Sequence, residues 1–545
     1  MEPKSNNSNL ILFMVIAMLI LLGWNYLFPP PKIEPQPTAA TQNSGVTGTA
    51  AASAPEKTLQ AGQLITVKTD VFDAKIDTVS GDVRELILSR YNAAGDAEKP
   101  FVLFENSDKN TYVAQSGLLN ADSQYLAPSF QAAQSSYEMT GDTLDVRLNA
   151  AADGVEVSKI YSFRKGDYAI GVNYEIHNTS DKPLQLSAMY RLLRDDQKPE
   201  GESRFTYTYT GPVLYTPQGK FEKISFGDLD DRSAEYVKNT QTGWLGMIQH
   251  YFMATWILQP KDGASICGEG ENCRLDFSRR DKDKLYSAGV IAPIPTIAPG
   301  QTVTVPMTLY AGPQEYAGIT KVADELQLVK DYGKVHLFAA PLFWLLQKLH
   351  GFVGNWGWAI ILLVIIVKAV LYPLTAASYR SMAKMRTVAP KLKALKDEFG
   401  DDRMKMQQEM MALYKKEKIN PLGGCLPMLI QIPVFLGLYW ALLSSVELRQ
   451  APWIGWITDL ARQDPYYVLP LVMAATMFLQ THLNPPPADP MQAKMMKIMP
   501  VVFSVMFFFF PAGLVLYWVV NNILSIAQQW YINKTVEDQA KHHQI

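Results

Sequence analysis

The chain contains 545 residues, too many for one ordinary domain, and its 50 Lys and Arg residues nearly balance 52 Asp and Glu residues. The resulting net charge of −2 argues against a protein that binds nucleic acid through a basic surface. Residues 29–340 carry 30 basic and 39 acidic side chains, whereas residues 341–545 carry 19 and 12, so the two parts are predicted to occupy different compartments. With three cysteines, the chain is not a disulfide-rich scaffold.

The chain begins with a predicted membrane anchor. Residues 10–28 form an apolar stretch of roughly the length that a spanning helix requires. A secretory signal peptide has a shorter apolar core and a small-residue cleavage site, but this stretch ends in aromatic residues and three prolines. We therefore predict an uncleaved anchor at 1–28 with a cytoplasmic N terminus. Residues 29–60 are rich in Pro, Ala, Thr, Ser and Gln, which predicts a flexible linker.

Residues 61–335 show the alternation of apolar and polar residues that is typical of half-buried antiparallel strands. The clearest run extends from Tyr168 to His177, and shorter runs occupy 205–210 and 303–309. These runs predict a large β-sandwich, and the lack of a repeat of about 20–50 residues disfavours a propeller. A helix is predicted at 319–331, followed by an amphipathic helix at 336–354 that lies in the membrane interface.

Two kinds of candidate site occur in this predicted outer domain. Cys267 and Cys273 bracket a short loop, and a location outside the cytoplasm favours a disulfide between them; two reduced surface thiols are the alternative. His177 and His250 each lack the neighbouring residues of a catalytic site. We interpret both histidines as surface or core residues.

Apolar segments in the C-terminal third predict five further spans. They occupy residues 356–374, 422–444, 466–483 and a run from 498 to about 530 that a Pro-Ala-Gly turn at 511–513 divides into two. Residues 375–421 carry 11 Lys and Arg residues but 445–465 carry two, so the first loop is predicted to be cytoplasmic. Six spans then place residues 29–340 outside the cytoplasm and the tail 533–545 inside it. The predicted class is a polytopic α-helical membrane protein with a large β-sandwich domain outside the cytoplasm, which is the periplasm if the source is a Gram-negative bacterium.

Lys368 lies inside the first of these five segments, where a lysine costs about 2.5–3.5 kcal/mol at the helix centre. Its side chain either snorkels toward the cytoplasmic end, which lies five residues away near Pro373 and so roughly 8 Å along the helix, or lines a hydrated pocket. A polar stripe in the last segment favours the pocket, although hydrogen bonds between helices also explain it. The stripe consists of Tyr517, Asn521, Ser525 and Gln528. Gln431, in the segment at 422–444, is a further polar residue within a predicted span.

The basic loop between the first two of these spans predicts two helices, at 382–399 and 403–418, joined by a turn. They would form a cytoplasmic helical hairpin within 378–420. Because methionine adapts to varied apolar partners, its methionines are candidates for capturing hydrophobic segments. These candidates are Met382, Met385, Met404 and Met411. An ordinary hairpin core with a solvated basic face is the alternative.

Motifs for nucleotide hydrolysis are missing from the sequence. The nearest glycine-lysine pair, Gly219 and Lys220, is followed by Phe221 and has the wrong spacing for a phosphate-binding loop. HExxH and GxSxG are also missing. The sequence therefore predicts neither an enzyme nor a site for a cofactor or metal.

Several ordered motifs between about 350 and 530 are similar to those of one family. They are MAKMR at 382–386, NPLGGCLP at 420–427 with QIP at 431–433, VELRQAP at 446–452, DPYY at 464–467, DPMQ at 489–492 and FPAGL at 510–514. In these motifs the sequence resembles the YidC family of membrane protein insertases. The outer domain marks the form found in Gram-negative bacteria.

The resemblance implies a periplasmic β-super-sandwich, a five-span insertase core at 355–532 and an inner-membrane location. It implies a chaperone that accepts hydrophobic segments of nascent membrane proteins, alone or with the Sec translocon and its accessory subunits, and releases them into lipid. The ribosome or the signal-recognition-particle receptor would be further partners. It also implies a groove around one positive charge, which falls on Lys368 where the family usually has arginine, and substrate contacts at Tyr517 and Trp518.

Combining the polar stripe with the resemblance, we predict a substrate groove and an apolar surface by which the substrate exits into lipid. The groove residues are Lys368, Gln431, Tyr517, Trp518, Asn521, Asn522 and Ser525, and the exit residues are Phe435, Leu438, Val502, Phe503 and Phe507. Two other classes stay open at this point. The β-rich domain suggests a membrane-anchored periplasmic protein or enzyme that acts on glycans, and an intramembrane lysine suggests a small-solute transporter, although internal repeats are not visible.

Overall fold

The computed structural model describes residues 59, 62–483, 498 and 504–542, with gaps at 94–97, 127–128, 153, 200–207, 269, 281–283, 331, 333–334, 400–401 and 417–425. The predicted anchor at 1–28 lies outside these residues, as does the linker at 29–60 except for Leu59. The backbone of Leu59 exchanges two hydrogen bonds with the side chain of Asn106.

Residues 62–335, here called the β domain, contain 21 strands in the part of the chain that the structure describes. The strands are β1 Leu64–Lys68, β2 Phe72–Asp77, β3 Val83–Asn92, β4 Pro100–Asn106, β5 Thr111–Asn120, β6 Tyr125–Leu126, β7 Gln131–Ala132, β8 Ser136–Glu138, β9 Thr143–Ala152, β10 Val155–Arg164, β11 Ala169–Asn178, β12 Leu186–Arg194, β13 Gly211–Thr216, β14 Lys220–Lys223, β15 Asn239–Thr240, β16 Trp244–Gln249, β17 Phe252–Ile257, β18 Cys273–Arg280, β19 Leu285–Pro293, β20 Thr302–Val305 and β21 Thr308–Pro313. One sheet has the order β15-β18-β19-β12-β5-β4-β3-β2-β1-β8, with β6 beside β5. The other has the order β14-β13-β16-β17-β21-β11-β10-β9-β7, with β20 beside β11.

The two sheets share one apolar core, which confirms the predicted β-rich domain. Strand β11 alternates buried and half-buried residues, as its sequence pattern predicts, and pairs in antiparallel register with β10. Rings from opposite sheets meet in the core, with the centroids of Tyr190 and Trp256 5.1 Å apart. The predicted run at 303–309 divides between β20 and β21 because Pro306 lacks a backbone donor. Most of the run at 205–210 lies outside the described residues.

The predicted helix at 319–331 is wrong. Here the chain instead forms a short helix at Tyr316–Ile319 and a 3₁₀ turn at Leu326–Val329. In chain order, the short helix at Phe226–Asp230 is α1 and that at Tyr316–Ile319 is α2. A continuous helix is interrupted because Glu325 adopts a left-handed backbone conformation with φ of 58°.

Residues 336–542, here called the helical part, follow in the same compact unit as the β domain, Glu56–Ile545. The helices are α3 His336–Val353, α4 Trp356–Thr387, α5 Ala389–Phe399, α6 Arg403–Lys416, α7 Leu426–Leu443, α8 Val468–Leu483 and α9 Ala512–His542. Helix α3 corresponds to the predicted amphipathic helix, since it buries Phe343 and Leu346 but exposes Trp344. It packs closely on α7, where a Cβ added at Gly437 would lie 3.0 Å from the Cβ of Phe338.

Several predicted helix ends are wrong. Helix α4 passes through Pro373 and continues to Thr387, so the predicted end at 374 is too early and the predicted helix at 382–399 is divided between α4 and α5. Both α4 and α9 extend past their apolar segments because they pack along each other. Helix α9 reaches His542, so residues 533–542 continue the helix rather than form a separate tail. Helices α5 and α6 contact each other.

The predicted break in the apolar run is present, but the turn lies at 508–511. Ala512 and Gly513 already belong to the first turn of α9, which the loop that precedes α8 stabilises. The amide of Ala512 donates to the carbonyl of Arg462 at 2.7 Å, and that of Gly513 donates to the carbonyl of Leu460 at 2.9 Å. These bonds satisfy amides that the first turn of a helix leaves without partners. By length and composition, Trp356–Met385 can cross a membrane, and Gln431–Leu443 and Val468–Leu483 are shorter apolar helices. The count of six spans stays a prediction.

Candidate functional site

Polar side chains of α9 bond to three neighbouring helices, α4, α7 and α8. Lys368 of α4 donates from Nζ to Oγ of Ser525 at 2.7 Å, and this hydroxyl donates to the carbonyl of Asn521 at 2.7 Å. Ser525 and Asn521 are buried and Lys368 is half-buried. The ammonium group therefore points into the helical part instead of snorkelling toward an end of α4.

The charge of Lys368 has a neutral hydrogen-bond partner. Among the described residues, Lys368 forms no salt bridge, and Nζ donates a hydrogen bond to the hydroxyl of Ser525. An ammonium group in apolar surroundings attracts negative charge more strongly than one in water, because the local dielectric constant is lower. The site therefore offers one uncompensated positive charge beside α9.

Two further bonds flank this lysine. Gln431 of α7 donates to the hydroxyl of Tyr517 at 3.0 Å, and Gln528 donates to Oγ1 of Thr375 at 2.8 Å. The sequence analysis missed Thr375, although its position seven residues after Lys368, two helical turns, places it on the same face of α4. Tyr517, Ser525 and Gln528 thus face α7 and α4, as the stripe predicts.

Asn522 does not join this group, which corrects its assignment to the groove. Its Nδ2 lies 3.4 Å from both Sδ of Met473 and Oγ1 of Thr476, on α8. Consecutive helical residues point about 100° apart, so Asn521 and Asn522 face different helices. Gln529, seven residues further, follows Asn522 and donates to the carbonyl of Leu483 at 3.1 Å. Gln529 was recognisable as a polar residue of this helix but was not assigned to a site, although this spacing could have paired it with Asn522.

The amides of Gln431 and Gln528 therefore form hydrogen bonds between helices, which is one of the two explanations that the sequence left open. The hydrated pocket stays a proposal. It depends on the uncompensated charge of Lys368 and not on free amides.

The aromatic side of the site is packed rather than open. The ring of Trp518 lies 4.6 Å from that of Phe435 and 5.5 Å from that of Phe507. Leu438 and Phe507 are buried in the core of the helical part, so the predicted exit surface is wrong for these two residues. Both side chains belong to the apolar core that the helices share, and Phe507 contacts the ring of Trp518 there. Val502 and Phe503 lie outside the described residues.

Other large apolar side chains of the helical part are exposed instead. They belong to α4, α7, α8, α9 and the segment at 504–510, and face away from the shared core. Examples that are at least 49% exposed are Val370, Leu471, Phe478, Leu479, Val505, Phe509 and Ile523.

The four candidate methionines differ in environment. Met404 and Met411 of α6 are 76% and 48% exposed, whereas Met382 and Met385 of α4 are half-buried. Met382 packs against a small cluster that contains Tyr379. The side chains of Met404 and Met411 are therefore accessible to an apolar partner.

The candidate residues of the β domain have structural partners. Cys267 and Cys273 form a disulfide with their Cα atoms 5.2 Å apart. Nδ1 of His177 lies 3.0 Å from Oγ1 of Thr302. Nε2 of His250 lies 3.2 Å from the carbonyl oxygen of Leu443, to which it donates, at the end of α7.

Comparisons with known proteins cover almost the whole chain. The family model described as 60Kd inner membrane protein matches residues 348–540, and that described as YidC periplasmic domain matches 64–345. A protein of Neisseria meningitidis named membrane protein insertase YidC is 58% identical over 542 residues, covering 98% of each chain. One of the same name from Laribacter hongkongensis is 53% identical over 545 residues, covering 98% of this chain and 99% of its own. A crystal structure titled as an active YidC insertase with its first transmembrane domain resolved matches with a TM-score of 0.41 and 17% identity, over 96% of this chain and 99% of that one.

Proposed function

The chain belongs to the YidC family of membrane protein insertases, and we propose that it guides hydrophobic segments of nascent inner-membrane proteins past Lys368 into the bilayer. The resemblance inferred from the motifs is thereby confirmed, and the function is insertion rather than enzymatic catalysis. The comparisons favour this function over the glycan-binding and transporter alternatives.

One observation carries the mechanism, namely that Lys368 is half-buried and bonded to a neutral hydroxyl. An acidic residue in the translocating tail of a substrate would find an unneutralised cation there. At 4 Å and an effective dielectric constant of 20, such a pair is attracted by about 4 kcal/mol. The charge lowers the free energy of a tail that is halfway across the membrane, and the substrate's own apolar residues drive its release into lipid.

The driving force comes from the substrate and the membrane. Each Leu, Ile, Phe or Val at the centre of a span gains about 0.3–0.6 kcal/mol on entering lipid. A membrane potential of 100 mV contributes about 2.3 kcal/mol per charge and favours outward movement of acidic tails. The exposed apolar side chains of α8 and of the segment at 504–510 support a revised route of release, in place of Leu438 and Phe507.

The topology belongs to the same proposal. Six spans would place the β domain in the periplasm, with the α5–α6 pair and both termini in the cytoplasm. The disulfide of the β domain supports an oxidising location. Exposed methionines on α6 would meet hydrophobic segments before they reach Lys368. The Sec translocon, the ribosome and the signal-recognition-particle receptor are proposed partners.

The charge mechanism is tested by insertion of a single-span substrate with an acidic tail into proteoliposomes. Lys368→Arg should retain insertion, because the charge is kept. Lys368→Glu should lower it more than tenfold, since about 1.4 kcal/mol already corresponds to a factor of ten. The control Lys534→Glu reverses an exposed charge on α9 and should insert as the wild type does. Equal insertion by wild type and Lys368→Glu would refute the mechanism.

A second substrate separates charge from general damage. A version of the same substrate with a neutral tail should insert into wild-type and Lys368→Glu proteoliposomes at similar rates. A similar loss for both tails would assign the effect to the structure of the helical part instead.

A further inference from the structure

The β domain holds the segment that directly follows α7. This helix ends at Leu443, and the next residues enter the β domain instead of leaving its surface. Val446 is buried in the apolar core that the two sheets share. The outer end of a membrane helix is thus packed into the β domain.

A buried ion pair lies beside Val446. Nζ of Lys330 is 2.6 Å from Oε1 of Glu447, and these side chains are 2% and 7% exposed. The same oxygen accepts the amide of Tyr316 at 3.1 Å. A buried pair is stable only when both charges are present or both are absent, because a single unpaired charge must be desolvated without compensation. The pair therefore restricts the segment to the docking register in which Glu447 meets Lys330.

Arg449 and His250 complete the contact. The guanidinium of Arg449 lies 5.4–5.7 Å from the ring centroids of Phe101, Tyr251 and Phe252, and it donates to the carbonyl of Asn92. His250 donates to the carbonyl of Leu443, one of the last carbonyls of α7 that lack a partner within the helix. Polar contacts from the β domain thus reach the end of α7 and the segment that follows it.

The inner part of α7 bears residues of the candidate site. Phe435 and Gln431 lie eight and twelve residues before Leu443, about 12 and 18 Å along the helix. They contact Trp518 and Tyr517 of α9. A shift of the outer end of α7 therefore displaces these contacts.

We propose that Lys330, Glu447 and Arg449 are positioning residues, through which the β domain sets the position of α7 beside α9 during insertion. This rests on the proposed function, since insertion is one of its readouts. The β domain then contributes to the site without contacting the substrate.

The test compares breaking the ion pair with replacing it. Lys330→Met leaves Glu447 buried without its cation and should lower insertion at least fivefold. The double variant Lys330→Met with Glu447→Leu removes both charges and should insert within twofold of the wild type. Lys321→Met, which removes an exposed lysine nearby, is the matched control and should have no effect.

A distance measurement separates this inference from the charge mechanism. Spin labels at the exposed positions Ile432 of α7 and Ile523 of α9 report the separation of the two helices in a background with Cys425 replaced by serine. Lys330→Met should broaden or shift the distance distribution, and the double variant should restore it. An unchanged distribution in Lys330→Met, or a changed one with wild-type insertion, would overturn the proposal. So would a failure of the double variant to recover both readouts. The distance readout does not depend on whether Lys368→Glu impairs insertion.

Discussion

Acidification should loosen the contact between the β domain and the end of α7, because His250 is half-buried there in its neutral form. Burial lowers the pKa of His250 to about 4 by disfavouring the charged ring, and the nearby Arg449 acts in the same direction. The hydrogen bond to the carbonyl of Leu443 opposes both effects. When the contact opens, the ring meets water and its pKa returns to about 6.5.

The direction and the size of the pH effect on the stability of this contact follow from the difference between the two pKa values of His250. Above about pH 6.5 the ring is neutral in both states and the contact has its full stability. Between about pH 6.5 and 4 the open state binds the proton more readily, so stability is lost as the pH falls. At pH 5.5 the loss is about 1.4 kcal/mol, which corresponds to a tenfold larger opening constant.

Hydrogen exchange of the segment at 446–449 measures this opening locally. The amide of Arg449, which donates to the carbonyl of Val446 at 3.0 Å, is a suitable reporter. After correction for intrinsic exchange, protection in the wild type should be about tenfold lower at pH 5.5 than at pH 7.5.

The control is His250→Asn, which does not titrate and tolerates the positive φ of 21° at this position. Its protection should be lower than that of the wild type at pH 7.5 but equal at the two pH values. Pairs such as Lys330 and Glu447 are present in both proteins, so their response cancels in the comparison. Equal protection of the wild type at both pH values, or the same loss in His250→Asn, would refute the reasoning.

Two further predictions concern covalent structure and close packing. In the denatured protein without reductant, a thiol reagent should not label Cys267 or Cys273, and two new labels should appear after reduction; labelling of both without reductant would contradict the disulfide. Gly357→Ala should destabilise the helical part by about 1–3 kcal/mol, because its Cβ would lie 2.1 Å from Cδ1 of Trp453. Gly351→Ala, where the added Cβ has no heavy atom within 4 Å, is the matched helical control. Thermal unfolding in detergent compares them, and equal midpoints for the two variants would contradict the packing argument.

Sequence patterns were sufficient where the determining contacts are local. Alternation over residues 168–177 predicted β11, because neighbouring residues of a strand face opposite sides. The helical spacing of Tyr517, Ser525 and Gln528 predicted that they share a side of α9. The sequence identified Lys368 as unusual because a charged side chain in an apolar segment costs free energy whichever way it points.

Apolar periodicity could not distinguish a side chain that faces lipid from one that faces another helix. Leu438 and Phe507 are as apolar as an exit surface requires, yet neighbouring helices cover them. The same ambiguity affects Asn522, whose polarity predicts a partner but not whether α4 or α8 supplies it. These assignments required the packing of the helices.

Local patterns thus sufficed to identify the strands, the apolar segments and the lysine within one of them, since each depends on residues close together in the chain. The docking of α7, by contrast, depends on contacts that form only in the folded protein. Glu447 meets a partner 117 residues away, and Arg449 meets one 357 residues away. No local pattern marks such contacts, because their stability arises only when folding brings the two surfaces together and removes the charges from water.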